Sequence, residues 1–196
     1  MAELPKNPSS TRPLILNTLC FLGVLVLTAT GLKLLGRILW CKCQGWSPWS
    51  WDIWSTHNSQ HLIDPYFFSH VLHGIIFYGI LHVSWKSAPS TWRFNAVILI
   101  ESVWELLENS PMIINRYRKV TISLDYFGDS IANSIFDIFA CSFGFLLALK
   151  LKPTQSIALF VLTELGLTWT IRDCLILNIM MLLYPMDVIR EWQLAG

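Results

Sequence analysis

The chain of 196 residues is 54% hydrophobic and only 14% charged, with a net charge of +1 and a mean hydropathy of +0.50. A soluble domain carries about 25% charged residues, so this chain lacks the polar surface that water requires. The same numbers exclude disorder, and the small net charge argues against a nucleic-acid partner. What they leave is an all-α, multi-pass membrane helix bundle forming a single integral membrane domain over 1–196.

A span needs about 20 mostly apolar residues. The first such run is 14–35, preceded by Lys6 and Arg12. It is too long for a signal-peptide core and reads as a retained span. A segment over 40–64 follows, holding Trp40, Trp46, Trp49, Trp51 and Trp54. Trp prefers the membrane–water boundary, so this segment is expected to lie along the surface. Spans two to five are expected at 65–85, 91–109, 129–149 and 154–171. Pro111 should stop the third helix, and a polar loop with Arg116, Arg118 and Lys119 should follow. A last apolar stretch, 175–184, is too short to cross. Basic residues occur on both sides of this topology, so the positive-inside rule discriminates poorly; the N-terminal side is read as cytoplasmic.

Five cysteines, an odd number, do not make a disulfide framework. Cys41 and Cys43 form a C-x-C beside the Trp-rich segment. They could bind a metal or pair with another thiol, but C-x-C alone lacks a full ligand set. Two interfacial cysteines is the simpler reading.

Ionisable groups inside spans are costly and suggest function by default. Glu101, Glu105 and Glu108 stand at i, i+4 and i+7, on one helix face. Asp129, Asn133 and Asp137 share another face, and His70 and His73 a third. His57, His61 and Asp64 repeat the pattern on an expected short surface helix. Alternating topology puts nearly all of them near one side of the bilayer, with Glu101, Asp137 and Glu164 deeper, as the floor of a cavity. For Glu101 and Glu164, hydrogen-bonded packing between helices is an equal reading. Grouped carboxylates repel unless protonated, paired or metal-bound.

Several blocks carry a family resemblance. They are Asn58-Ser59-Gln60-His61, Ser69-His70-Val71-Leu72-His73-Gly74, the E-x-x-W-E-x-x-E-N-S-P box over 101–111, Arg116-Tyr117-Arg118, and the G-D-S-x-x-N-S box over 128–134. Over about 40–193 the chain resembles an uncharacterised bacterial inner-membrane protein family known only as a domain of unknown function. More distantly it resembles VanZ-like membrane proteins. Where that family reads Asn after the late Arg-Asp pair, Cys174 stands here. The resemblance implies a multi-pass protein of the bacterial cytoplasmic membrane and supplies no activity.

The residues point first to a metal-dependent hydrolase or transferase acting on a lipid or lipid-linked substrate at one leaflet. His70, His73, Glu105 and Asp129 are the expected ligands of a divalent ion such as zinc. Glu105, Glu108 and Asp137 are the expected catalytic carboxylates, Glu108 or Asp137 acting as base or supporting the ligands. Arg116, Arg118 and Arg172 would hold an anionic headgroup. A proton-coupled transporter and a non-catalytic membrane assembly protein remain the alternatives.

Overall fold

The computed structural model describes residues 11–43, 45–121 and 126–195. Lys6 lies outside them. Among the described residues the chain forms eight helices: α1 (Thr11–Leu34), α2 (Phe67–Ser84), α3 (Ser90–Glu108), α4 (Pro111–Val120), α5 (Ile131–Lys150), α6 (Pro153–Ile171), α7 (Leu175–Leu183) and α8 (Asp187–Leu194). The only strand-like pairing among them is an isolated bridge between Trp49 and Ile63.

Among the described residues three helices, α1, α2 and α5, are long and apolar enough to cross a membrane. A fourth is reached if α6 and α7, bent by 75° at residues 172–174, count as one broken span. The five expected spans included the α3 region. That helix matches the others in length but carries Arg93 and three glutamates. It turns Arg93, Glu101 and Glu105 inward, where all three are buried, and its exposed surface is the apolar row Leu99, Ile100, Val103 and Leu107.

The α2–α5 pair is the centre of the bundle. Gly74 of α2 faces the backbone of Cys141 and Phe145, and Gly144 of α5 faces the carbonyl of Val71; a Cβ at either position would collide with main chain. Small residues at a crossing let two backbones approach closely, which is how helices in lipid gain packing energy. Leu72, Ile75, Ala140 and Ala148 fill the seam above and below. On the other side, α3 packs against α1 and α5 through Leu25, Ile98 and Ile138.

Pro111 acts as expected and also as a start signal. Helix α3 ends at Glu108, and α4 begins with Pro111 at its first position, capped by Ser110 Oγ, which accepts from Ile113 N. Arg116, Arg118 and Lys119 therefore stand on a short amphipathic helix, where a loop was expected. Its buried residues, Ile114, Tyr117 and Val120, recur at three-residue spacing. The expected surface helix through His57, His61 and Asp64 does not form. Residues 53–62 are a run of turns, with Ser59 at φ 57°, a left-handed conformation that interrupts a helix.

Candidate functional site

The cavity lies at one end of the bundle, enclosed by the N-terminal turns of α2 and α5, the C-terminal half of α3, α4, α7 and the loop before α2. Its volume is ≈440 Å³. The polar lining includes His70, His73, Glu108, Asp129, Asn133 and Asp137; the apolar lining includes Trp104, Leu107, Ile179 and Leu182.

Glu101 and the two histidines form the inner part of the site. His70 Nδ1 lies 2.6 Å from Glu101 Oε1, and His73 Nδ1 lies 3.1 Å from both Glu101 oxygens. One helical turn further along α3, Glu105 Oε1 is 3.4 Å from the same His70 Nδ1. On the opposite edge of the imidazole, Nε2 is 3.9 Å from Asp137 Oδ2. One buried imidazole thus faces three carboxylates. Neither Glu105 oxygen has a hydrogen-bond partner among the described residues, and neither does Asp137 Oδ1.

The outer part is a hydrogen-bonded frame. Asn109, fully buried, donates from Nδ2 to Asp129 Oδ2 at 2.8 Å, while Asp129 N donates to Asn109 Oδ1 at 2.7 Å. Tyr126 Oη donates to Asp129 Oδ1 at 2.9 Å. Burial pushes the Tyr126 phenol well above its ordinary pKa, so it stays a donor. Gly128, at φ 94°, turns the chain into this arrangement, and a Cβ there would meet Asn109 Oδ1 and Arg37. Tyr117 Oη lies 3.0 Å from Glu108 Oε1 and 2.9 Å from Asn178 Oδ1, tying α3, α4 and α7 together.

The structure thus brings together His70, His73, Glu105, Glu108, Asp129 and Asp137, each singled out in the sequence. It seats them differently from the expected ligand set. Among the described residues of the cavity, two groups have ligand atoms close enough for one ion, His70–His73–Glu101 and His70–Glu105–Glu108. Asp129 belongs to neither, being bonded to Asn109 and Tyr126. Glu164 is not on the cavity floor. Its carboxylate accepts from Leu175 N and Ile176 N, at 3.0 and 2.9 Å, and caps α7.

The three arginines stand apart from the cavity lining. Arg116 Nε donates to Leu182 O at 3.0 Å, Arg118 Nε to Tyr126 O, and Arg172 Nη1 to Trp192 O at 2.9 Å. The first two carbonyls belong to residues of the cavity rim. Arg172 instead holds α8, with its guanidinium 5.7 Å from the Trp192 ring centre. Sequence reasoning did not assign roles to Asn109, Tyr117 or Tyr126. Asn109 sits inside the E-x-x-W-E-x-x-E-N-S-P box and Tyr117 inside the Arg116-Tyr117-Arg118 block, which is the one signal that marked them.

These features define a helical membrane protein with a buried histidine–carboxylate cavity at one end of its bundle. The chain belongs to the bacterial family described as a protein of unknown function (DUF2585), whose profile matches residues 32–195. It is 45% identical over 175 residues to a UPF0314 protein of Rhizobium meliloti (strain 1021), covering 89% of each chain. It is 46% identical over 175 residues to one of Paracoccus denitrificans (strain Pd 1222), covering 88% of this chain and 89% of that one. A Brucella anthropi relative is 44% identical over 178 residues, covering 91% and 90%. No solved structure matches the chain.

Proposed function

We propose that the cavity is the active site of a metal-dependent hydrolase or transferase of the bacterial cytoplasmic membrane, acting on a lipid or lipid-linked substrate. The observation that carries this reading is Glu105. It is fully buried, neither of its oxygens has a hydrogen-bond partner among the described residues, and the imidazole 3.4 Å from it is shared with Glu101 and Asp137. An unpartnered buried carboxylate costs several kcal/mol. A divalent ion held beside it by the neighbouring histidines would offset that cost.

The donor set suits zinc, which accepts imidazole nitrogen and carboxylate oxygen. His70, His73 and Glu101, whose ligand atoms lie close enough for one ion, would hold it, with Glu105 beside the His70 ring. Asp137, on the far edge of the His70 ring, would fix that ring's orientation, as outer carboxylates do for metal-ligating histidines. When bound, the ion supplies an activated water and polarises the substrate. Glu108, which lines the cavity and is steadied by Tyr117, takes the proton as general base.

The shape of the cavity supports a lipid substrate. Ile100, Val103 and Leu107 of α3 and Ile179 of α7 line it and are also exposed on the outer apolar surface. An acyl chain can enter sideways along that flank. Arg116 and Arg118, with N–H groups left beyond their carbonyl bonds, meet an anionic headgroup at the rim. A proton-coupled carrier has less support, because Val97, Cys141 and Phe145, with Phe77, Leu81 and Phe94 around them, form an apolar plug between Glu101 and the opposite end.

The test is zinc-dependent conversion of a bacterial polar lipid extract by the purified protein, read by mass spectrometry. A lipid class should lose or exchange its headgroup, and Glu108→Gln should slow this by about 10²–10⁴-fold. No zinc-dependent change in any lipid class, or full activity in Glu108→Gln, overturns the proposal.

A further inference from the structure

The segment between α1 and α2 holds a second cluster, independent of the catalytic reading. Cys41 Sγ lies 3.2 Å from His57 Nδ1, and Cys43 Sγ lies 3.6 Å from His61 Nε2. One ligand atom from each of the four residues falls within 4.8 Å of all the others. Their thiols are free. We infer that Cys41, Cys43, His57 and His61 form a four-coordinate structural zinc site that closes the tryptophan-rich segment on itself.

The chemistry favours zinc. Two thiolates and two imidazoles are a complete tetrahedral set with no open position, which marks a structural site and not a catalytic one. The His pair has the H-x₃-H spacing common in such sites, whereas C-x-C is one residue shorter than the usual Cys pair. The short spacing is accommodated because Cys43 N donates to Cys41 Sγ at 3.3 Å, folding the pair back on itself. The surrounding groups are also suited. His61 Nδ1 is 2.6 Å from Ser47 O; donating there fixes the tautomer and leaves Nε2 as the metal-facing nitrogen. Trp40 packs edge-on against the His61 ring at 5.4 Å and shields it from water.

Both arms of the cluster are anchored on the N-terminus of α5. On the cysteine arm, Ile38 O and Leu39 O accept from Ile131 N and Ala132 N. On the histidine arm, Ser59 O accepts from Ser130 N, Gln60 O from Ser130 Oγ, and His61 O from Asn133 Nδ2. Ile38 O, Leu39 O and Ser59 O satisfy N–H groups that a helix start leaves open, and the five bonds together hold the two ligand pairs side by side. Because Asn58, Ser59 and Asp64 line the cavity, the zinc clip holds one wall of it. It also presents Trp46, Trp49, Trp51 and Trp54, all exposed, on one closed loop, and indoles favour the membrane–water interface.

The test uses the full chain in detergent, with zinc or cobalt alone as the probe. The cobalt-loaded protein should show thiolate-to-metal charge transfer and the intense visible bands of tetrahedral cobalt. X-ray absorption of the zinc form should show sulfur at about 2.3 Å and nitrogen at about 2.0–2.1 Å. Cys41→Ser/Cys43→Ser should lose one equivalent of metal and the charge-transfer band, while His70→Ala keeps the band. His57→Cys, which preserves a four-ligand set, should keep the metal and strengthen the band, so a folding failure of the double variant does not decide the matter. Cobalt binding without charge transfer, metal content unchanged in the double variant, or isolation of Cys41 and Cys43 as a disulfide overturns the inference.

Discussion

His70 of α2 and Glu101 of α3 meet with 2.6 Å between Nδ1 and Oε1, both buried, one turn along α3 from the Glu105 carboxylate, which has no hydrogen bond among the described residues. The pair is the shortest of several polar contacts between these two helices, which also meet through His73–Glu101 and Arg93–His82. It also sets the direction of the His70 ring: with Nδ1 turned to α3, Nε2 is left facing Asp137 of α5 at 3.9 Å.

That orientation makes Asp137 a positioning residue. Asp137→Asn keeps the size of the side chain and weakens its hold on the imidazole, so affinity for zinc should fall by about 10–100-fold. Competition against a chromophoric chelator measures this. The cobalt spectrum of the Cys41–His61 cluster should not change, which separates loss of a ligand's orientation from general unfolding. Unaltered zinc affinity in Asp137→Asn would remove Asp137 from the site.

The α2–α5 crossing can be tested with two glycines of one helix. A Cβ at Gly74 meets the Cys141 carbonyl, while a Cβ at Gly79 meets nothing within 4 Å. Gly74→Ala should therefore lose about 1–3 kcal/mol through overpacking. Gly79→Ala should be neutral or gain up to about 1 kcal/mol from helix propensity. Thermal unfolding in detergent checks both. Equal effects would mean that close backbone approach is not what holds the pair.

Much of this was legible in the sequence, and the remainder failed for identifiable reasons. Helices α1, α2, α5 and α6 follow from apolar runs, with boundaries within three residues of those expected. The Glu101–Glu105–Glu108 face follows from i, i+4, i+7 spacing. Which carboxylate meets the histidines depends on how α2, α3 and α5 are rotated against one another. The glycine crossing at Gly74 and Gly144 sets that rotation, and side-chain spacing carries no trace of it. Helices α4 and α8 are short and strongly amphipathic, so no apolar run announces them. The Cys–His cluster was hidden twice, by its unusually short C-x-C and by a His57–His61–Asp64 spacing that mimics a helix. Arg116, Arg118 and Arg172 bond main-chain carbonyls, partners that leave no mark on sequence.

Asp64 predicts a pH dependence. It is buried in the loop before α2 and accepts from Ser59 N, Tyr66 N and Phe67 N. Burial, and then the charge of Asp129, raise its pKa to about 6, against a smaller opposing effect of those N–H groups and of His70. The folded state therefore holds this proton more tightly than the unfolded one. Its contribution to stability is complete below about pH 4 and is lost as pH rises through about 6, with an upper size of about 3 kcal/mol. Asp64→Asn does not titrate. The difference in melting temperature between wild type and Asp64→Asn should thus shift in favour of the variant between about pH 4 and about pH 7. A difference that stays flat, or shifts toward wild type, contradicts the assignment.

The central claim is that the buried histidine–carboxylate cluster holds a metal, and the most direct measurement is metal content in a background where the thiolate cluster is removed. Cys41→Ser/Cys43→Ser protein, loaded with zinc and dialysed, should retain one equivalent whose X-ray absorption shows only nitrogen and oxygen neighbours. Adding His73→Ala or Glu101→Gln should abolish it. If the double variant folds and holds no zinc, or holds zinc that His73→Ala leaves in place, His70, His73 and Glu101 are not a metal site and the catalytic proposal falls with them.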